Sequence, residues 1–184
     1  MLTRVYHGTA LIQFEDFQTP HALPLLNKYR DKYRCFNDDI QGTGTVALAA
    51  MMGGMRSMHK PFSALAEQKF VVAGAGSAGI GIVDTLVSAM VTLYGLTEDS
   101  ARKRFWLVDH KGLLGRGRDD LTEDQLRYQR VDADGGTPLL DVLPLAGATV
   151  LLGVSGAGPI FTEDILKWSE CPPCTYLLWF SQWP

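Results

Sequence analysis

Apolar and polar positions follow two different periods along the chain. From about residue 69 onward, short apolar runs rich in β-branched and aromatic residues alternate with longer segments in which apolar residues recur every three or four positions. Runs of the first kind predict strands, and segments of the second kind predict helices. The predicted strands cover residues 69–73, 105–108, 149–154 and 175–180, and the predicted helices cover residues 79–94, 121–129 and 162–168. Strands that alternate with helices are typical of a parallel, doubly wound sheet, so we predict an α/β fold with a Rossmann-like sheet.

The first part of the chain carries shorter and less regular patterns. They predict a strand, a helix and a brief extended segment at residues 11–14, 24–33 and 35–36, respectively. A helix of small apolar residues is predicted at residues 45–52, and we expect it to end at Gly53-Gly54. A loop rich in Gly, Thr and Pro is predicted at residues 134–138.

Composition adds limits to this picture. The 184 residues suffice for one ordinary domain and part of another. With 46% apolar and 20% charged residues and a net charge of −3, the chain gives no electrostatic reason to expect nucleic acid or an anionic membrane as a partner. The longest apolar stretches, such as residues 45–52 and 148–154, are far too short to span a bilayer.

Cysteine usage and the first residues concern the compartment. Three cysteines cannot form a disulfide framework, which favours a reducing compartment. The first eight residues contain no apolar segment of a secretory signal. The choice between cytoplasm and mitochondrion stays open.

A glycine signature, Gly74-Ala75-Gly76-Ser77-Ala78-Gly79, follows the first predicted strand of the sheet and precedes the long helix. This strand–turn–helix context is the one in which such glycines hold the pyrophosphate of a dinucleotide. Gly74 would allow the tight turn, Gly76 the approach of the pyrophosphate, and Gly79 close packing of helix and strand. Asp109 ends the next strand, where an acid would bond the ribose hydroxyls. The alternative is a structural glycine turn that binds nothing.

Two pairs of acidic residues precede the glycine signature. They are Glu15-Asp16 and Asp38-Asp39, and each pair is flanked by large apolar side chains and ends an extended segment. Partly buried carboxylates of like charge are costly unless a cation neutralises them, and clustered carboxylate oxygens suit Mg²⁺ or Mn²⁺. A solvated acidic surface is the alternative.

The remaining metal-binding or redox residue types form no convincing site. Cys171 and Cys174 have the spacing of a redox pair or half a zinc site, but no second such pair exists and no helix opens at them, so we assign them no function. The four histidines have no metal-ligand spacing. His110 follows the ribose acid, where a cofactor contact and a solvated loop are equally compatible with the sequence.

With these motifs assembled, the chain resembles the malic enzymes, which oxidatively decarboxylate malate to pyruvate and CO₂. The resemblance runs from about residue 11 to residue 167, and FNDDIQGT is its most specific motif. The matching stretches are IQFEDF at residues 12–17, FNDDIQGT at 36–43, VALA at 46–49, the glycine signature, VDHKGL at 108–113 and GVSG at 153–156.

The resemblance implies a role for each matching residue. It implies that Glu15, Asp16 and Asp39 ligate a divalent metal, Mg²⁺ or Mn²⁺, and that Asp38 has a supporting acid–base role beside the reacting carbon. It further implies an NAD or NADP site in which Asp109 binds the ribose and the pyrophosphate is held by Gly74, Gly76, Ser77, Ala78 and Gly79. For the full-length family it implies a homo-oligomer.

The chain also departs from the family pattern. The tyrosine acid and lysine base of the family precede the EDF motif and are not matched here by Tyr6 or Lys28. From about residue 169 the sequence diverges, and the family's Ser-Asn-Pro motif is replaced. We therefore expect a fragment, with a remnant of the substrate domain at residues 1–37 and the nucleotide-binding domain at residues 38–184.

The expected function is that of a malic enzyme core, weak or inactive as this chain alone. One alternative is a non-catalytic nucleotide-binding or subunit-interaction module. Others are a chain that does not fold stably, since an incomplete sheet exposes an apolar edge, and a Rossmann dehydrogenase that uses no metal.

Overall fold

The computed structural model describes residues 8–155, 160–169 and 176–179. Its elements follow the predicted alternation, with several additional short ones. In chain order they are β1 (Ile12–Phe14), α1 (Thr19–Tyr29), β2 (Cys35–Asn37), a π-helical turn (Asp38–Gly42), α2 (Thr43–Ser57), a 3-10 helix (Phe62–Glu67), β3 (Phe70–Ala73), α3 (Ser77–Tyr94), α4 (Glu98–Arg102), β4 (Phe105–Asp109), β5 (Gly112–Leu113), β6 (Gly115–Arg116), α5 (Glu123–Leu126), β7 (Arg130–Asp134), α6 (Leu139–Ala146), β8 (Val150–Gly153), α7 (Glu163–Ser169) and β9 (Tyr176–Trp179).

The main sheet has the strand order β5-β4-β3-β8-β9. Strands β4, β3, β8 and β9 run parallel, and β5 pairs antiparallel with β4. The chain leaves β3 for β4 on one side and later returns to β8 on the other, so the strand order reverses at β3. Ligands of open α/β sheets bind at such a switch point, outside the carboxyl ends of the strands.

Both faces of this sheet are covered, as expected for the predicted doubly wound sheet. Phe70 and Val72 of β3 pack in a core with residues of α2 and α3. Val71, between them, points to the opposite face and packs in a second core with residues of α6 and α7. The same alternation holds along β4 and β8. Helices on both faces confirm the predicted α/β, doubly wound architecture.

Helix α3 is the main helix of the first core. Gly95 ends it in the left-handed conformation, with φ of 72°, as glycine does at many helix C-termini. By length and composition the helix could cross a membrane, although the apolar stretches considered from the sequence were too short to do so. More than half of it is buried inside the protein, which is the packing of a core helix.

Three predicted helices differ in length from the sequence expectations, and two further elements were not predicted. The helix predicted at 45–52 continues as α2 through Gly53-Gly54 to Ser57, because Met55 beyond the glycines is fully buried in the core. The helix predicted at 121–129 shrinks to the four residues of α5, and the helix predicted from residue 24 begins at Thr19. Strand β7 and helix α6 were not predicted, since β7 is mostly charged and α6 contains Pro144.

The N-terminal elements form a small separate sheet beside the main one. Strands β1 and β2 are parallel, with Phe14 opposite Asn37. Helix α1 buries Ala22 and Leu26 against Ile40 of the π-helical turn. This turn follows β2 directly and leads into α2, so it joins the N-terminal sheet to the main core.

Candidate functional site

A crevice opens at the switch point of the main sheet. Its volume is about 720 Å³, which is within the range of small-molecule and cofactor sites. Its walls come from the carboxyl ends of β3, β4 and β8 and from the loops that follow them. The lining residues include Ala73, Gly74, Ala75, Gly76, Ser77, Ala78, Val108, Asp109, His110, Gln125, Val154 and Ser155.

The glycine signature forms one wall of this crevice. Gly74 has φ of 124°, and a Cβ atom there would lie 2.8 Å from the carbonyl of Val154. A Cβ atom on Gly79 would lie 2.0 Å from the carbonyl oxygen of Gly74, so helix α3 packs directly on the turn. Only glycine fits at these two positions.

The N-terminus of α3 opens onto the crevice. Gly76 is its N-cap residue, and no side chain caps the helix there. The backbone N–H groups of the first helical turn, from Ser77 onward, therefore have no partner within the helix. Together with the helix dipole, they make a site suited to a pyrophosphate. Of the predicted pyrophosphate residues, Gly74, Gly76, Ser77 and Ala78 line the crevice, whereas Gly79 supports the turn from behind.

Gln125 also lines the crevice, and sequence reasoning did not predict its contact with the glycine turn. Its Nε2 donates a hydrogen bond to the carbonyl oxygen of Ala75 at 3.0 Å. Its Oε1 accepts from the Thr122 N–H at 3.0 Å, while Thr122 Oγ1 accepts from the Gln125 N–H at 3.3 Å. This capping box was readable as Thr-x-x-Gln at a helix start. The hydrogen bond to Ala75, 50 residues earlier in the chain, could not be predicted from the sequence.

Asp109 lies at the end of β4 beside the crevice, where the sequence predicted the ribose acid. Its carboxylate accepts hydrogen bonds from Arg118 at 3.1 and 2.8 Å and from the Lys111 N–H at 2.8 Å. Burial alone would raise the pKa of Asp109, but these hydrogen bonds lower it below its usual 3.8. Arg118 also binds Asp120. About one of the carboxylate's four acceptor sites is left for a ligand.

Glu15, Asp16 and Asp39 converge on one point. Each offers a carboxylate oxygen, and these oxygens lie within 4.8 Å of one another. The register of β1 and β2 explains this, because Phe14 is opposite Asn37 and both acidic pairs leave the same end of the small sheet. The Asp16 N–H donates to Asp39 Oδ2 at 2.9 Å, with Asp16 in the left-handed region at φ of 58°.

The charges in this cluster are not compensated by a nearby cation among the described residues. Burial raises the pKa of Asp39, and the negative charges of Glu15 and Asp16 raise it further, against a lowering by the backbone hydrogen bond from Asp16. Three carboxylates within reach of one ion are the donor set that Mg²⁺ and Mn²⁺ prefer. The residues present therefore fit a divalent cation.

Asp38 stands apart from that cluster. Its carboxylate folds over the Cα atom of Gly42, where a Cβ atom would lie 2.0 Å from Asp38 Oδ1. Asn37 fixes the same turn, because its Oδ1 accepts from the Ile40 N–H at 3.1 Å. The Nδ2 of Asn37 is buried without a hydrogen-bond partner among the described residues. The structure thus holds Asp38 next to the cluster but not in it.

The other residues considered from sequence contribute little. His110 lines the crevice, whereas His21 and His59 are exposed elsewhere. Cys35 is a free thiol in β2. His7, Gly156, Cys171 and Cys174 lie outside the described residues.

Several known proteins that are similar in sequence are malic enzymes. The family model described as the malic enzyme NAD-binding domain matches residues 40–171. An NAD-dependent malic enzyme of Pseudomonas savastanoi pv. phaseolicola is 46% identical over 166 residues, covering 85% of this chain and 29% of the relative. The NADP-dependent malic enzyme of Dictyostelium discoideum is 42% identical over 159 residues, covering 85% and 28%. The chain thus spans less than a third of the length of these curated relatives.

Solved structures give the same family. The NAD-dependent malic enzyme of Thermotoga maritima is similar with a TM-score of 0.65 and 29% identity, over 85% of this chain and 38% of that one. The malic enzyme of Entamoeba histolytica has the same fold, with a TM-score of 0.70 at 23% identity over 97% of this chain and 35% of that one. The chain belongs to the malic enzyme family, and the part matched by the family model is its NAD-binding domain.

Proposed function

We propose that this chain carries the nucleotide site and the metal site of a malic enzyme that converts malate to pyruvate and CO₂. The observation that supports this most strongly is the convergence of Glu15, Asp16 and Asp39 on one point, next to a turn that packs against the nucleotide-binding helix. The proposed cofactors are NAD or NADP together with Mg²⁺ or Mn²⁺. We also propose that residues 1–37 belong to the substrate domain and that residues 38–184 form the nucleotide-binding domain.

The residues of the chain divide the work of binding and orientation. The first turn of α3 and the glycine turn would hold the pyrophosphate, and Asp109 would accept one ribose hydroxyl hydrogen bond. A bound NAD or NADP would accept the hydride from C2 of malate. The adenosine part of the nucleotide would then lie near Asp109 at the end of β4.

At the carboxylate cluster, Glu15, Asp16 and Asp39 would hold the cation. A bound Mg²⁺ or Mn²⁺ would polarise the C2 hydroxyl and the C1 carboxylate of malate and stabilise negative charge as CO₂ leaves. Asp38, one residue before a ligand and half-buried, would hold or accept a proton beside the substrate.

We propose that the 184 residues alone turn over malate slowly or not at all. General acid and base groups each contribute roughly 10²–10⁴-fold, or about 3–5 kcal/mol of the barrier. The family's tyrosine and lysine in these roles have no counterparts in this sequence.

A second candidate is a nucleotide-binding module without turnover. One observation favours it: the described residues form the crevice, including its glycine turn and the uncapped N-terminus of α3. No residue of the sequence is assigned the acid or base role that the family resemblance implies. Binding and turnover must therefore be measured separately.

The test is to purify the chain and measure NAD, NADP and Mn²⁺ binding by calorimetry, together with malate-dependent reduction of the nucleotide in the presence of Mn²⁺. We expect both ligands to bind, with turnover at least about 10³-fold below that of a full-length relative. Turnover at the level of the full-length enzyme would contradict the proposal that these 184 residues alone turn over malate slowly or not at all. Failure of Mn²⁺ to bind would contradict the metal assignment, and a metal-independent reduction would favour a metal-free dehydrogenase.

A further inference from the structure

Helices α2 and α3 touch through glycines that lie outside the nucleotide signature. A Cβ atom on Gly44 of α2 would lie 2.2 Å from Thr85 Oγ1 and 2.9 Å from the carbonyl oxygen of Gly81, both on α3. A Cβ atom on Gly81 would lie 2.6 Å from the carbonyl oxygen of Ile40 and 2.9 Å from its Cα atom. Real Cβ atoms do not approach other atoms this closely, so the backbones themselves are in contact.

This contact joins the two halves of the proposed active site. Ile40 belongs to the π-helical turn and follows Asp39, a member of the carboxylate cluster. Gly81 lies two residues after Gly79, in the part of α3 that follows the glycine turn. The route from the carboxylate cluster to the nucleotide crevice therefore crosses one backbone-to-backbone contact. Two side chains also approach this point, because a Cβ atom on Gly81 would lie 2.9 Å from Ile40 Cγ2 and one on Gly44 would lie nearest to Thr85 Oγ1. A rotamer change of either side chain would leave the backbone contact between Gly81 and Ile40 in place.

The π-helical turn is braced so that it moves as a unit. The Ile40 N–H is held by Asn37 Oδ1 at 3.1 Å, and the Asn37 N–H is held by Gln41 Oε1 at 3.1 Å. Thr43 Oγ1 donates to the Asp38 carbonyl at 3.2 Å. A displacement of the Ile40 carbonyl should therefore also displace Asp38 and Asp39, because these hydrogen bonds hold the turn together.

We propose that Gly81 and Gly44 are positioning residues that set the separation between the metal site and the nucleotide. This rests on the function proposed above. Neither glycine touches substrate or cofactor; both act through the π-helical turn. An ordinary contact at Gly81 would require Ile40 to retreat from 2.6 to about 3.4 Å. A misplacement of about 1 Å at reacting groups can cost on the order of 10²-fold in rate.

The experiment compares Gly81→Ala and Gly44→Ala with Gly53→Ala. Gly53 lies on the same helix as Gly44, but a Cβ atom there has nothing within 4 Å. The three substitutions are chemically identical and all fall in helices, so differences among them report the contact. Each purified variant is loaded with Mn²⁺ and NAD, and the Mn²⁺-induced relaxation of the nicotinamide protons gives their distance from the metal.

We expect Gly81→Ala to change the distance from Mn²⁺ to the nicotinamide by about 0.5–1 Å, the size of the retreat required at Ile40. Gly44→Ala should change it in a similar way, while Gly53→Ala should leave it at the wild-type value. Mn²⁺ and NAD should still bind Gly81→Ala and Gly44→Ala with dissociation constants within a few-fold of wild type. A variant that had lost its structure would not bind them.

A compensating variant keeps the test decisive if Gly44→Ala fails to fold. Its closest clash is with Thr85 Oγ1, so adding Thr85→Ala should restore folding and part of the wild-type distance. An unchanged distance in Gly81→Ala with both ligands bound would overturn the inference. If the wild-type chain binds no Mn²⁺ or no NAD, the proposed function fails instead, and the two failures are thereby distinguished.

Discussion

The nucleotide crevice and the carboxylate cluster are built in opposite ways. The crevice stands on a sheet whose strands are buried on both faces, and backbone atoms of the glycine turn form its wall. The carboxylate cluster lies at the end of a sheet of two three-residue strands, and two of the three carboxylates in the cluster are exposed. A site made of backbone on a buried sheet is formed before its ligand arrives. A site made of exposed carboxylates would gain its order from a bound cation.

The largest effect is expected from a substitution that disrupts the nucleotide crevice and leaves the carboxylate cluster intact. Gly79→Val places a branched side chain where even a Cβ atom would lie 2.0 Å from the Gly74 carbonyl oxygen. We expect a loss of about 3 kcal/mol in the free energy of unfolding, the upper range for overpacking. NAD affinity should fall by about 10²-fold in the fraction that folds. Chemical denaturation and calorimetry measure both, and retention of wild-type NAD binding would show that the turn is not the pyrophosphate site.

Next in size is the ion pair of Arg118 with Asp109, a residue that lines the crevice. Arg118→Met leaves Asp109 without its main partner, and only 13% of the Asp109 side chain is exposed. We expect the free energy of unfolding at pH 7 to fall by about 2 kcal/mol, less than for a fully buried pair because some exposure remains.

The pH dependence of that loss follows from the lowered pKa of Asp109. In the wild type, a carboxyl with a folded pKa below its unfolded 3.8 stabilises the protein above pH 3.8 and loses this contribution as the pH falls through the folded value. The difference between wild type and Arg118→Met, measured by urea denaturation, should therefore shrink below pH 3.8. A difference that stays constant down to pH 2 would contradict the pairing.

A smaller effect is expected where the crevice depends on a single side chain. Gln125→Met removes the hydrogen bond to the Ala75 carbonyl, which belongs to the same planar peptide as the Gly76 N–H. We expect NAD affinity to fall about fivefold to tenfold, the value of roughly 1 kcal/mol for one hydrogen bond. Thr122→Ala is the control, since it breaks the capping box but spares the bond to Ala75. Equal losses in both variants would assign the effect to the helix cap.

The smallest effect has the opposite sign. Gly53→Ala fills open space on α2, so we expect the free energy of unfolding to rise by about 0.5–1 kcal/mol through reduced backbone entropy. Neither NAD nor Mn²⁺ binding should change. A destabilisation, measured by thermal or urea unfolding, would show that the outer face of α2 is constrained in a way that the structure does not explain.

The same contrast between the two regions explains what the sequence revealed. The strands β3, β4 and β8 were predicted to within a residue or two, because strands buried on both faces carry continuous apolar runs. Strand β7 was missed, since Ala133 is its only buried residue and Arg130 and Asp134 read as surface. The end of α2 was misplaced because the burial of Met55 overrides the low helix propensity of Gly53-Gly54.

Residues of the candidate site follow the same division. The glycine signature and Asp109 could be placed from local pattern, since both end a predicted strand. Local pattern did not predict the hydrogen bonds from Arg118 to Asp109 and from Gln125 to Ala75. These bonds depend on contacts between loops that are far apart in the chain. A cation site at the two acidic pairs was one of two interpretations of the sequence, but the set Glu15, Asp16 and Asp39 was expected only from the family resemblance. Their convergence depends on the register of β1 and β2.

The central claim is that three carboxylates from two separate stretches of chain bind one divalent cation. The most direct measurement is a titration of the purified chain with Mn²⁺, followed by electron paramagnetic resonance, beside Asp39→Asn at the same pH. We predict one Mn²⁺ bound per wild-type chain and a dissociation constant at least tenfold higher for Asp39→Asn, with NAD binding unchanged. Equal Mn²⁺ binding by the two proteins, or none by the wild type, would contradict the claim.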